Sequence, residues 1–115
     1  MKITLILNDA PYGSERTYNS LRLAIHLQKR EGTLVRVFLL GDAITSASKN
    51  QKTAEGYYNI GRMIKTIVRN GEVKVCGTCM DARGFATEML LEGTRRSTMD
   101  ELTDWVIESD KTLVF

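Results

Sequence analysis

Two cysteines three residues apart are the side chains of this sequence best suited to chemistry. Cys76 and Cys79 bracket Gly77 and Thr78, directly after a β-like run that ends with Val75. If a helix begins at this turn, its first N–H groups lack internal partners and carry the positive end of the helix dipole, which stabilises an anion. The thiolate is the reactive form of cysteine, and both a helix N-terminus and Cys-x-x-Cys spacing lower its pKa. The pattern therefore predicts sulfur chemistry at neutral pH.

The elements around this turn alternate between strand-like and helix-like patterns. Helical spacing predicts helices after Ser14, from Tyr57, and after Ser97, and the polar stretch 43–56 is predicted to be a mobile loop with one helical turn near 43–47. A solvated loop is predicted around Arg95 and Arg96. Strands are predicted at 3–7, 34–40, 72–76 and 112–115, and 89–91 is a candidate for a further short strand. This alternation predicts a small, doubly wound α/β domain with a mostly parallel sheet of four to five strands.

The predicted sheet would collect several polar groups at one edge. In open parallel sheets, the ligand crevice lies beyond the carboxyl ends of the strands. If strand one lies between strands two and three, Asn8, Asp9, Asp42 and Cys76 all emerge along that edge. We therefore expect Cys76 and Cys79 to form the site, with the loop after strand one overlooking them.

Length, composition and charge restrict the class of protein. The 115 residues suffice for a single domain, 1–115, and are too few for two. The net charge is +2 and the basic residues are dispersed, so we expect no direct nucleic acid binding and no attachment to an anionic membrane. The N-terminal apolar run is too short for a signal peptide, and no stretch approaches the ~20 apolar residues of a membrane span. We therefore expect a cytoplasmic protein, in which paired cysteines are more often catalytic, redox-active or metal-binding than disulfide-bonded.

Other interpretations of the two cysteines remain open. Free cysteine is among the most buried residue types, so both could be core residues. Zinc requires three or four ligands, whereas the chain offers two cysteines and the distant His26, so we expect no metal. A thioredoxin-type thiol–disulfide protein also opens a helix with Cys-x-x-Cys, but that fold has a cis-proline opposite the motif, and the single proline, Pro11, precedes it. A further alternative is a non-catalytic oligomeric α/β module that binds a small ligand or a protein. The sequence has no Gly-rich phosphate loop, which argues against a nucleotide as the ligand. We expect no cofactor.

Several motifs match one family. The turn C-G-T-C-M-D-A-R-G occurs with N-D-A-P-Y after strand one, F-L-L-G-D-A after strand two and D-K-T-L-V-F at the end. In these motifs, and over nearly its full length, the sequence resembles the DsrE/DsrF-like (YchN-like) family of small sulfur-relay proteins. The resemblance implies a flavodoxin-like three-layer fold, a homotrimer or a hexamer of two trimers, and a cysteine that carries sulfane sulfur as a persulfide. The partners it implies are sulfur donor and acceptor proteins or small sulfane compounds.

The resemblance also suggests which cysteine carries the sulfur. Family members with a single active cysteine have it at the strand end, seven positions before an Arg-Gly pair. Cys76 holds that place relative to Arg83 and Gly84, and Cys79 is the additional thiol of a subset of relatives.

The expected mechanism follows from thiol exchange. Cys76 as thiolate attacks the outer sulfur of a donor persulfide. Cys79 then either attacks the inner sulfur, which releases sulfide and leaves a disulfide, or only tunes the pKa of Cys76. Thr78 and the N–H groups from Gly77 onward would stabilise the sulfur anion, with Arg83 as an outer positive charge.

Overall fold

The computed structural model describes residues 1–115 as one parallel sheet with helices on both faces. The strands are β1 (Lys2–Leu7), β2 (Leu34–Leu39), β3 (Glu72–Cys76), β4 (Thr94–Ser97) and β5 (Lys111–Val114). The α-helices are α1 (Arg16–Gln28), α2 (Ile60–Val68), α3 (Gly77–Ala82) and α4 (Met99–Glu108), and two 3₁₀-helices span Gly41–Ala47 and Thr87–Met89. The predicted three-layer α/β class with a parallel sheet is confirmed.

The strand order is β4-β3-β2-β1-β5, which corrects the predicted placement of β1 between β2 and β3. The chain moves from β1 to β4 in one direction and then returns to place β5 beside β1. The strand order therefore changes direction between β1 and β5. The cysteine turn, which follows β3, does not lie at this point of reversal. Because every pairing is parallel, the carboxyl ends of β1, β2 and β3 still share one edge of the sheet.

The core lies on both faces of the central strand β2. Its residues Val35, Val37, Phe38 and Leu39 are fully buried, as expected for a strand covered on both sides, whose sequence is almost continuously apolar. Helices α1 and α2 pack against each other, and α4 brings Trp105 edge-to-face against Phe38 at 6.0 Å between ring centroids. The longest helix, α1, has 13 residues, and no helix is long and apolar enough to cross a bilayer.

The segment after β2 differs from its predicted form. The helical turn at 43–47 is confirmed, but it belongs to a 3₁₀-helix in which Ala43, Ile44 and Ala47 are fully buried rather than part of a mobile loop. These three side chains join the apolar core, which holds the end of β2 close to β3.

The region between α3 and α4 contains the largest error in the sequence prediction. Residues 89–91 do not form a strand; Leu90 makes only an isolated bridge with Ser48. The fourth strand is β4, so Arg95 and Arg96 lie on an edge strand rather than in a solvated loop. The short sequence T-R-R-S has no apolar alternation, and its strand conformation depends on pairing with β3.

Two helix starts are also displaced from their predicted caps. Helix α1 is preceded by Glu15, and Ser14 accepts a hydrogen bond from the N–H of Arg16 at 3.3 Å. Helix α4 is capped by Thr98, whose Oγ1 accepts from the N–H of Glu101, rather than by Ser97.

Candidate functional site

The cysteine turn joins the end of β3 to the start of α3, as the sequence predicts. Cys76 is the last residue of β3 and the N-cap of α3, which runs from Gly77 to Ala82. Its Sγ accepts a hydrogen bond from the N–H of Cys79 at 3.4 Å, so the sulfur occupies the position of a capping oxygen. The N–H of Thr78 acts to lower the pKa of this thiol. The chain leaves the short helix at Gly84, whose φ of 61° favours glycine.

The Cys76 thiol is buried, and its ionisation is disfavoured. Only 6% of the residue is exposed, and its side chain is part of the apolar core. Burial raises the pKa of Cys76, and the neighbouring Cys79 thiol raises it further, whereas the N–H groups of Cys79 and Thr78 act in the opposite direction. The expectation of a lowered pKa at Cys76 is therefore wrong, because desolvation outweighs the helix N-terminus. At neutral pH the resting Cys76 is a protonated thiol.

Cys79 is the less buried of the two cysteines, and its sulfur has a backbone donor of its own. The residue is half-buried, and its Sγ accepts a hydrogen bond from the N–H of Gly41 at 3.2 Å. Gly41 follows β2 with a φ of 52°, a backbone conformation that favours glycine. A side chain there would also reach 3.5 Å from the carbonyl oxygen of Asn8. Gly41 therefore lies close to both the end of β1 and the sulfur of Cys79.

An ion pair lies beside Cys79. The Nε of Arg83 donates to Oδ1 of Asp42 at 3.0 Å, and its Nη1 donates to the carbonyl oxygen of Cys79 at 3.2 Å. Arg83, predicted as the outer positive charge, is therefore balanced by Asp42 and lies on the Cys79 side of the turn.

A second ion pair, which sequence reasoning missed, lies beside Cys76. Arg96 of β4 donates from Nη1 and Nη2 to the two carboxylate oxygens of Asp81, both at 2.8 Å. This pairing lowers the pKa of Asp81, and the pKa of Arg96 is raised by Asp81 and, to a smaller extent, by Cys76. Only the pairing of β4 with β3 brings Arg96 to the turn, so the local sequence carries no signal for this contact.

The other predicted site residues lie around the turn rather than in contact with the sulfurs. The Nδ2 of Asn8 donates to the carbonyl oxygen of Phe115 at 2.9 Å. Asp9 accepts a hydrogen bond from Ser14 and lies 3.6 Å from Nη1 of Arg16. Asn8 and Asp9 share an open cavity of about 270 Å³ with Asp42. Of the predicted set, the structure brings together at the turn the residues Cys76, Gly77, Thr78, Cys79 and Arg83.

Metal-ligating side chains are not grouped in the structure. No three His, Cys, Asp or Glu residues come together in a way that could hold a metal ion. His26 lies on α1, where its Nδ1 is 2.8 Å from the carbonyl oxygen of Arg22.

The fold and its site define a small three-layer α/β protein with a thiol pair at the carboxyl edge of its sheet. The sequence profile of the DsrE/DsrF-like family matches residues 1–115, and the chain belongs to this family. It is 46% identical over 116 residues to Protein YchN of Escherichia coli (strain K12), covering 99% of this chain and 98% of that protein. The crystal structure of the ychN protein from E. coli matches the fold with a TM-score of 0.94 at 44% identity, covering 100% of this chain and 99% of that one. A more distant relative, named Sulfurtransferase TusD homolog, from Vibrio vulnificus, is 21% identical over 129 residues, covering 100% of this chain and 98% of that protein.

Proposed function

We propose that this protein relays sulfur and carries sulfane sulfur as a persulfide on Cys76. The observation that carries the proposal is a turn in which both sulfurs accept backbone hydrogen bonds, Cys76 from Cys79 and Cys79 from Gly41. Such donors stabilise a sulfur anion without requiring a metal or a cofactor. Membership in the DsrE/DsrF-like family, which includes a relative named as a sulfurtransferase homologue, supports the same class of chemistry.

The transfer proceeds by thiol exchange with no net oxidation. After losing its proton, Cys76 attacks the outer sulfur of a donor persulfide, R–S–SH. The new S–S bond forms at Cys76, the S–S bond of the donor breaks, and the donor leaves as the thiolate R–S⁻. An acceptor thiolate then attacks the outer sulfur of the Cys76 persulfide in the same manner, which returns Cys76 as a thiolate.

Cys79 has one of two roles in this scheme. As a resolving thiol, its thiolate attacks the inner sulfur of the Cys76 persulfide, forms the Cys76–Cys79 disulfide and releases HS⁻; a dithiol reductant then restores both thiols. As a tuning group, it only raises the pKa of Cys76. A thiol–disulfide redox function would use the same disulfide without the persulfide.

The proposed partners are sulfur donor and acceptor proteins or small sulfane compounds in the cytoplasm. The proposed assembly is a homotrimer or a hexamer. Membership in the DsrE/DsrF-like family supports an assembly of this kind. Contact between subunits would cover apolar side chains such as Tyr57, Ile107 and Val114, which are 73%, 78% and 66% exposed.

Mass spectrometry of the intact protein tests this function. After incubation with inorganic polysulfide, we expect the wild-type protein to gain about 32 Da, the mass of one sulfur atom, in a form that dithiothreitol removes. The adduct should be lost in Cys76→Ser and retained in Cys79→Ser, which serves as the matched control. A reducible adduct that persists in Cys76→Ser would reassign the carrier to Cys79. No adduct in Cys79→Ser, in which no resolving thiol can remove the sulfur, would contradict the function itself.

A further inference from the structure

We infer that Arg96, which Asp81 holds over Gly77, is a positioning residue whose positive charge stabilises the anionic sulfur of Cys76. This inference rests on the proposed function, since it concerns the anion that sulfur transfer requires. The sequence led us to expect Arg83 as the cation of the site, whereas we assign this role to Arg96 of β4.

Two contacts define the position of Arg96. Its guanidinium forms two parallel hydrogen bonds with the carboxylate of Asp81, a bidentate geometry that sets its orientation. It also lies directly on Gly77: a Cβ at that position would come within 2.8 Å of Nε and 2.9 Å of Cζ of Arg96. The φ of Gly77 is not positive. The close approach of Arg96, and not the backbone conformation, therefore requires glycine at this position.

Within the ion pair, the guanidinium lies against the residue next to Cys76. Gly77, which the guanidinium touches, is the residue next to Cys76, whereas Asp81 lies one helical turn further along α3. The pKa of Arg96 is raised chiefly by Asp81 and, to a smaller extent, by Cys76, which is consistent with a guanidinium close to this sulfur. The remaining charges of the turn, Arg83 and Asp42, pair with each other on the Cys79 side.

Arg95 provides a matched control on the same strand. Successive side chains of a strand point to opposite faces of the sheet, so Arg95 and Arg96 contact different residues. Arg95 lies 3.9 Å from Glu72 and is more exposed than Arg96. Replacing either arginine with glutamine removes the same charge from the protein, but only Arg96→Gln removes it from the cysteine turn.

The test measures the alkylation of Cys76 by iodoacetamide as a function of pH in a Cys79→Ser background. Removing the cation destabilises the thiolate, so Arg96→Gln should shift the midpoint of the profile to higher pH. At neutral pH it should slow alkylation about two- to fivefold, the effect of one partly solvated charge. Arg95→Gln should leave the midpoint unchanged, and Arg96→Lys, which retains the charge, should lie closer to the parent protein than Arg96→Gln does.

Gly77→Ala tests the same inference without removing the charge. The added methyl group must displace the flexible guanidinium, so the midpoint should shift in the same direction as in Arg96→Gln. In an Arg96→Ala background, Gly77→Ala should have no further effect. Two results would overturn the inference. An unchanged midpoint in Arg96→Gln with faster alkylation at high pH would show that Arg96 only blocks access to Cys76. Equal shifts of the midpoint in Arg95→Gln and Arg96→Gln would show a general effect of charge. The assay uses no sulfur donor, so its outcome is independent of whether the protein forms a persulfide.

Discussion

At the scale of single residues, the site depends on a balance between two effects on one sulfur. The Sγ of Cys76 accepts a hydrogen bond from the N–H of Cys79, and the N–H groups of Cys79 and Thr78 both favour the anion, but burial in the core disfavours the anion more strongly. A charge buried in apolar surroundings is costly, so the resting thiol stays protonated. A protonated thiol is also less readily oxidised than a thiolate.

The buried Cys76 thiol should make stability fall at alkaline pH. Because the folded-state pKa is raised above the unfolded value of about 8.5, the contribution of Cys76 is fully present below that value and is lost as pH rises through the folded pKa. We therefore expect the free energy of unfolding, measured with urea between pH 7 and pH 10, to decline less in Cys76→Ser than in the wild-type protein. Cys79→Ser should retain the decline. Parallel pH profiles for wild type and Cys76→Ser would contradict the burial-raised pKa.

The residues of the turn itself were largely predictable, and those that reach it from elsewhere were not. The spacing of Cys76 and Cys79 after a β-like run was sufficient to predict the strand-to-helix turn. Gly41 and Arg96 come from β2 and β4, and no local pattern marks either residue as a neighbour of the sulfurs. The direction of the Cys76 pKa shift was wrong for the same reason, because burial is a property of the packed core and not of the motif.

At the scale of elements, β3 is held in place by the close packing of the turn before it. Gly71 links α2 to β3, and a Cβ there would lie 2.4 Å from the carbonyl oxygen of Val35 and 2.7 Å from Nε2 of Gln28. The Nε2 of Gln28 in turn donates to the carbonyl oxygen of Ile67, near the end of α2. The backbone of β2 and the end of α1 therefore set where β3 begins, and so where its last residue, Cys76, lies.

Gly71→Ala should destabilise the protein through this packing. A backbone carbonyl cannot move aside as a flexible side chain can, so we expect a loss of about 1–3 kcal/mol in the free energy of unfolding. Gly13→Ala is the matched control, because its Cβ would make only an ordinary contact of 3.5 Å with Ala10. Urea unfolding of the two variants measures the difference. Equal stability of Gly71→Ala and Gly13→Ala would show that the α2–β3 connection is not tightly packed.

At the scale of the whole molecule, the class of fold was predictable but the order of strands was not. The alternation of apolar runs with helical periods indicated a parallel α/β sheet, which the structure confirms. The neighbour of each strand depends on which face of the sheet each connecting helix crosses. After α4 the chain places β5 beside β1, and no local sequence pattern indicates this pairing. The edge strand β4 was missed because it buries almost no apolar surface of its own.

The proposed trimer or hexamer would cover some of the exposed apolar side chains. Tyr57 precedes α2, Ile107 lies on α4 and Val114 on the edge strand β5, so the apolar surface is distributed over several elements. Sedimentation equilibrium at micromolar concentration should give three or six times the chain mass of 13.0 kDa. A species of 13.0 kDa alone would contradict the proposed assembly.

The most direct test of the central claim locates the transferred sulfur within the cysteine turn. Trypsin cleaves after Lys74 and after Arg83, so both thiols lie in the single peptide 75–83. After the wild-type protein is loaded with polysulfide and its remaining thiols are alkylated, fragmentation of this peptide should place the additional sulfur on Cys76. Additional sulfur found on Cys79 with none on Cys76 would contradict the assignment of Cys76 as the persulfide carrier.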